Sequence, residues 1–450
     1  MNCWRKALRW MVGLVISLGL ALGLLVAPID RTPLQEQDFY QTMAQRLDTL
    51  QLSQTAAGKL SVDWGVVNIT PGYSMPMAGY RPRNGFDAVH DSLFARILLV
   101  DNGHAKALLV NVDLLLFPTA LKERLQQKLA AAGWKEYFLY PSATHTHNAV
   151  GGWDESTGGQ WVLGKFDEGW LEGIANAIAE KVVQLAPRAC TMQPWYADAS
   201  EWVENRLALD KGAKDGLIRG FTMEREDKKR ALFFTYSAHA TSISKKSRVL
   251  SADYPAAVFE RLQNEFDFGM YMAGMVGSHR FIWAPEMDFE WVAKAGDVLH
   301  NKIKERTSLI SRDSVEMEYA EIPIVFGPSQ LRIGKNWKLR DWVFSSLFQP
   351  LEGNLSVLRI GNVWLVGTPC DFSGEIYVES SMNELLQDET KLLIITSFNG
   401  HYNGYITHDA HYDQFRKEEV RSMNWVGPYY GAYFAWMIGE VLSKESVDNK

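Results

Sequence analysis

Cysteine is scarce. Cys3, Cys190 and Cys370 are the whole complement in 450 residues, and no two of them form a CxxC pair. That excludes a disulfide framework, although Cys190 and Cys370 could still pair with each other. Positive charge is not in excess either. The chain carries 46 Lys+Arg against 53 Asp+Glu, a net charge of -7, which is the wrong sign for a nucleic-acid-binding face. No GxGxxG or phosphate-loop stretch occurs, nor any internal repeat or low-complexity tract, so nucleotide-cradling, solenoid and disordered classes fall away. Histidine is sparse too, ten in all, which makes the placement of His145 and His147 in "SATHTHNAVGG" a question for the rest of the chain.

What is present is the composition of an ordinary globular protein, 47% hydrophobic and 22% charged, able to bury a large core as one big domain or two fused ones. The amino terminus departs from that pattern. Arg5, Lys6 and Arg9 precede an uncharged run from Met11 to Pro28. A run of about 18 apolar residues is at the lower edge of a bilayer-spanning helix. Basic residues in front of it predict that the terminus stays cytoplasmic and the remainder is exported. Residues 1–29 are therefore expected to be a signal anchor, with the body periplasmic or extracellular. A cleaved leader and a secreted body is the alternative. Residues 30–59 read as a helical linker, with Tyr40, Met43, Leu47 and Leu50 at helical spacing, and the catalytic body is expected at 60–450.

Within the body, strand and helix patterns alternate. Ala105 to Leu116 is a buried-strand run; Thr119 to Ala132 carries Leu121, Leu125 and Leu129 at helical spacing and stops at Gly133. Tyr137 to Tyr140 and Leu232 to Tyr236 read as strands. A helix comes next, from Asp253 to Phe266, then strands at Met270 to Val276, Val363 to Val366 and Leu392 to Thr396. This alternation predicts an α/β fold with a mixed, largely parallel sheet flanked by helices. Such folds place their chemistry beyond the carboxyl ends of the strands. There the sequence puts His145 and His147, then His239, then Asp371, then Tyr405. In extended backbone His-x-His turns both rings to one side. Neutral imidazoles with one carboxylate suit Zn(II), whose catalytic sites keep a position open. Each residue also has a plainer use. Asp371 would cap a helix beginning at Phe372, leaving Glu375 as the competing carboxylate. His239 and Tyr405 would sit in the core. His401, His408, Asp409 and His411 form a second polar cluster, read as a solvated loop around Tyr405. Lys335 to Phe348, rich in Trp and basic residues, is either a packed hairpin or helix, or an element that dips into a lipid interface.

At these residues the chain resembles the neutral ceramidases. "SATHTHNAVGG" is similar to their "HTHS" zinc motif, "TYSAHATSIS" (Thr235 to Ser244) to "HGTS", and "LSADYP" (Leu250 to Pro255) to the aspartate stretch after it. "VVNITPGYSMPMAGY" (Val66 to Tyr80), "VHDSLFARILLV" (Val89 to Val100), "VGTPCDFS" (Val366 to Ser373) and "NGYITHDAHY" (Asn403 to Tyr412) resemble further family segments in the same order. The resemblance implies zinc ligation by His145, His147, His239, Asp371 (in place of the family's Glu) and Tyr405, with Arg206 near the substrate and Tyr405 and Arg206 as the catalytic groups. It implies a zinc-dependent amidohydrolase that cleaves an N-acyl bond in a ceramide-like or other lipid-like substrate; the uncharged run at 11–28 adds the expectation that the protein reaches the membrane through its N-terminal helix. Zinc would polarise the amide carbonyl and lower the pKa of a bound water. The family's proposed serine falls on Gly274 and its "HTHS" serine on Asn148, and no counterpart of its C-terminal immunoglobulin-like domain is expected within residues 60–450. These departures feed an alternative, a non-catalytic, membrane-tethered protein that uses the site for binding or structure. Nothing in the sequence sets the oligomeric state.

Overall fold

The computed structural model describes residues 2–80, 83–208, 212–282, 288–382, 384 and 390–444. Helices α1 (Asn2–Leu25) and α2 (Asp38–Asp48) precede strands β1 (Ser61–Asn68), β2 (Phe94–Asp101) and β3 (Lys106–Val112). Helix α3 (Thr119–Ala131) is next. Pro118 in extended backbone starts it, Leu121, Leu125 and Leu129 form its buried face, and Gly133 at φ 87° turns the chain away. Strand β4 (Phe138–Ala143), helices α4 (Thr157–Leu163) and α5 (Glu168–Val183), and strands β5 (Arg188–Asp198), β6 (Leu217–Arg225) and β7 (Arg230–Tyr236) come after it. Then α6 (Tyr254–Leu262), capped by the Asp253 carboxylate, leads to β8 (Phe268–Ala273) and α7 (Phe289–Lys304). The last third contains β9 (Met317–Pro323), α8 (Asp341–Phe348), β10 (Asn354–Ile360), β11 (Val363–Thr368), β12 (Asp371–Phe372), α9 (Gly374–Glu379), β13 (Leu392–Ser397), β14 (Tyr405–Ile406) and α10 (Tyr430–Ser443).

Two large sheets result. The first runs β8-β7-β6-β5-β1-β2-β3-β4, with Thr307–Ser308 added on β5. The second runs from the short strip Ser53–Gln54 through β9, β10 and β11 to β13. They pack face to face. Leu109 and Phe233 of the first sheet share one core with Leu358, Leu365 and Ile394 of the second. The outer face of the first sheet (Leu108, Val110, Leu232, Phe234) is covered by α3, α5, α6 and α7; that of the second (Val357, Trp364, Ile395) by α2, α9 and α10. Helix α2 thus belongs to the packed body through Met43 and Leu47.

The sheets are mixed rather than largely parallel. Pairs β1–β2, β2–β3, β5–β6, β6–β7, β9–β10 and β10–β11 are antiparallel, whereas β3–β4, β7–β8 and β11–β13 are parallel. The expectation of a parallel sheet came from continuous apolar runs. Here the four-layer stacking produces them: successive residues alternate between two buried faces, whatever the strand direction.

The expected anchor at 11–28 has no support in the structure. Its helix α1 exists, but the side chains of Val15, Ile16, Leu18, Leu20, Ala21 and Leu22 lie outside the described residues. Among the described residues no helix is long and apolar enough to cross a membrane. Cys190 and Cys370 are both buried and free, so they do not pair.

Candidate metal centre

The three parallel pairs deliver the site. Past β4 come Thr144 to His147, past β7 comes His239, past β11 comes Asp371 on β12, and past β13 the chain turns to Tyr405 on β14. Strand β12 pairs in parallel with β14, placing Asp371 beside Tyr405. Although β4 ends the first sheet at one edge and β7 lies near the other, His145, His147 and His239 offer ligand atoms all within 4.8 Å of one another. The extended His-x-His expected from the sequence is corrected. His145 takes φ 60°, a left-handed conformation that costs a non-glycine residue free energy, and it turns the imidazole inwards. Its amide donates to the Leu114 carbonyl at 3.0 Å, which holds that backbone in place.

The imidazoles are aimed by their far nitrogens. His145 Nδ1 lies 2.7 Å from the Leu115 carbonyl and His239 Nδ1 2.7 Å from the Val276 carbonyl, so each Nδ1–H donates and each Nε2 presents a lone pair. Those Nε2 atoms face each other at 3.0 Å, and His147 Nε2 lies 3.3 Å from that of His145. Asp371 Oδ1 lies 3.3 Å from both His145 Nε2 and His239 Nε2 and has no hydrogen-bond partner, although the residue is fully buried. Ring lone pairs and an orphaned carboxylate oxygen converging in a buried site repel one another unless a cation lies among them. The donor set fits a metal ion.

Electrostatics agree. Burial, reinforced by the Arg206 charge, pulls His239 down to about 3, and burial holds His147 well below its ordinary value, so both rings are neutral at neutral pH. Burial alone would raise Asp371; positive charge at the His145 and His239 side pulls it below the ordinary carboxylate range, and with His239 neutral a cation would take that part. Tyr405 is pushed far up by burial and stays a phenol. Its hydroxyl is 2.9 Å from His239 Nε2 and accepts from Arg206 Nη2 at 2.9 Å. Arg206 also donates to the Gly277 carbonyl and pairs with Glu419 at 3.2 Å.

Every expected site residue, His145, His147, His239, Asp371, Tyr405 and Arg206, is therefore in one constellation. Asp371 lies on β12 and does not cap a helix; Ser373 precedes α9. Glu375 is committed elsewhere, 2.8 Å from His411 Nε2, while His408 pairs with Glu379 and Asp409 accepts from the Gly431 and Ala432 amides. The second polar cluster is thus internally satisfied. Gly274 stands where a Cβ would meet the Tyr236 carbonyl at 3.1 Å, and Ser278 Oγ is held by His279 Nδ1 and the Glu375 amide.

Several supporting residues escaped sequence reasoning. Tyr402 donates to Asp371 Oδ2 at 2.7 Å; Phe398, at φ 67°, stacks on His145 with centroids 4.2 Å apart; Glu419 fixes Arg206. Phe398 precedes, and Tyr402 lies within, the same "NGHYNGY" turn that supplies Tyr405, and that shared turn is the signal that could have found them. Tyr80 lies over His147 at 4.9 Å, and Arg83 donates to the carbonyls of Ala78 and His147. Gly79 between them has φ 100°, and a Cβ there would lie 2.5 Å from the His147 Cα, so only glycine lets this cover close on the ring.

No family model and no curated protein matches the sequence. Two solved structures share its architecture. Neutral ceramidase from Pseudomonas aeruginosa superposes with a TM-score of 0.74 at 13% identity, over 86% of this chain and 74% of that one. A ceramidase complexed with C2 superposes with a TM-score of 0.73 at 14% identity, over 86% of this chain and 75% of that one. The chain has the fold of these ceramidases.

Proposed function

We propose that the protein is a neutral-ceramidase relative, a zinc-dependent amidohydrolase that cleaves an N-acyl amide bond in a ceramide-like or other lipid-like substrate, with residues 60–450 as the hydrolase domain. The observation that carries this reading is the orphaned Asp371 Oδ1 facing neutral imidazole lone pairs, inside a fold shared with two ceramidases. His145, His147, His239 and Asp371 would hold the ion, with Tyr405 as a looser neighbour. When bound, zinc supplies Lewis-acid polarisation of the scissile carbonyl and acidifies a water.

The rest is the work of the chain's own groups. Arg206 and Tyr405 place an N–H and an O–H donor side by side, where negative charge develops on the carbonyl oxygen during attack. Fixed donors of this kind typically contribute about 3–4 kcal/mol to the barrier lowering. Glu419 keeps the guanidinium from rotating away. Tyr80, Arg83 and Gly79 close the His147 side against water. Gly274 offers no nucleophile and Ser278 is committed to its own network, so no covalent serine step is assigned. Elemental analysis for zinc together with turnover of a short-chain fluorescent ceramide tests the reading. Zinc bound without turnover of this or other N-acyl amides would transfer the site to binding or structure. We also propose that the body lies outside the cytoplasm, on the basic residues ahead of Met11 to Pro28. Protease added to intact spheroplasts digests the body if this is right and spares it if not.

A further inference from the structure

Most large apolar side chains of the body are covered, and among the described residues its exposed tryptophans, Trp161, Trp337 and Trp342, gather around α8. Trp342 of α8 is 58% exposed, Trp337 of the preceding strand Trp337–Leu339 is 53%, and Ile333 before it is 51%. Helix α4 packs against α8, with Gly158 so close under Phe348 that a Cβ would lie 2.4 Å from its ring, and it adds Trp161 at 65%. Monomeric soluble surfaces rarely leave several tryptophans of neighbouring elements uncovered.

We infer that this face, carried by α4, α8 and the turn at 333–337, docks on the surface of an anionic lipid bilayer. This deepens the lipid-amide reading, on which the choice of occupant rests. Charge points the same way. Between Leu331 and Phe348 the exposed charges are Lys335 and Arg340 against one acid, Asp341, while Arg332 and Lys338 are buried. Asp341 is engaged by the Ser329 amide at 2.7 Å, while Lys335 and Arg340 are exposed beside the tryptophans. Indole rings with cations at their margin match the chemistry of the headgroup boundary. The face is also continuous with α1, whose described side chains are all exposed. The last carbonyls of α1 are tied to it, since Arg340 Nε donates to Gly23 O and Trp342 Nε1 to Leu24 O. Finally, the face is one aromatic layer from the centre. Phe348 stacks on Trp425 at 5.7 Å, Trp425 meets Tyr402 edge-on at 5.2 Å, and Tyr402 holds Asp371.

The test uses the full chain with vesicles of phosphatidylcholine containing roughly 30% phosphatidylglycerol, and hydrogen exchange read by peptide. Amides in 157–163 and 331–348 should exchange several-fold more slowly with vesicles, and Trp161→Ala, Lys335→Glu and Trp337→Ala together should abolish that protection. These side chains lie outside the metal centre, so turnover of a soluble short-chain amide should be unchanged. Equal exchange with and without vesicles overturns the proposal, as does protection that grows with protein concentration in their absence, which would make a second copy the occupant. The soluble-substrate assay keeps the two readings apart. Turnover without vesicle protection removes the docking face alone, and protection without turnover removes the chemistry alone.

Discussion

Tyr402→Phe removes a single oxygen from behind the centre. The Tyr402 hydroxyl donates to Asp371 Oδ2 at 2.7 Å, leaving Oδ1 to face His145 and His239. The ring keeps its contacts in the variant, edge-on to Trp425 at 5.2 Å and near Phe398 at 6.2 Å, so packing is conserved. What is lost is a hydrogen bond to a buried carboxylate, a class worth about 1.5–3 kcal/mol. Two consequences separate. In the metal-free protein an acceptor is left unpaired, so denaturant unfolding should show a loss of about 1–3 kcal/mol. In the metal-bound protein the carboxylate is free to swing away from the imidazoles. Removal of such an outer partner typically lowers metal affinity about 10–100-fold. Competition against a chromophoric zinc chelator, at fixed pH and salt, reads the second effect independently of activity. A variant that folds normally and binds zinc within about twofold of the wild type would refute the reasoning, because Tyr402 would then have no part in orienting the ligand.

His145→Ala with His147→Ala should remove the metal altogether, and full zinc by elemental analysis in that double variant would overturn the ligand assignment. Ser278→Ala should leave turnover within about threefold, since its Oγ is bound to His279 and the Glu375 amide; abolished turnover with zinc retained would restore a serine route. Asp113 is buried and accepts from the Phe94 amide, and burial pushes it up to about 6 from 3.8. The folded state thus holds a proton that the unfolded state releases, and stability is lost as pH rises through roughly 4 to 6, by an order of magnitude of about 3 kcal/mol. Asp113→Asn should gain stability relative to the wild type by that amount between pH 4 and 7, and parallel stability–pH curves would contradict it.

The elements were legible where one periodicity dominated. Leu121, Leu125 and Leu129 mark α3, and apolar runs mark β3, β4, β7, β11 and β13, because each of those strands is buried on both faces. The same double burial hid strand direction, which depends on whether a hairpin or a crossover links neighbours and not on side-chain polarity. The residue types of the centre were legible from the few positions just past each strand end. Their conformations were not. Nothing in "ATHTH" says that His145 adopts φ 60°, since that strain is enforced by the Leu114 and Leu115 carbonyls from a separate segment. Asp371 and Glu375 could not be ranked by spacing, and it is His411, from beyond β14, that claims Glu375. The stretch around Trp337 and Trp342 read either as a packed element or as one that meets a lipid interface, and it packs through Phe344 and Phe348 while both tryptophans stay exposed.

The ligand atoms of the centre come from the ends of β4 and β7, from β12 and, at its margin, from β14, and the last of these is joined to β12 by parallel pairing. No short stretch of chain contains the donor set. A ribosome that has released only the first half of the protein has released His145 and His147 without His239 or Asp371. A metal held by this donor set would therefore be taken up by a nearly finished fold, and its identity would be decided by which divalent cations are free in the compartment where folding ends. Imidazole–carboxylate sites bind copper more tightly than zinc on intrinsic affinity, so the metal found in such a site would reflect supply as much as sequence.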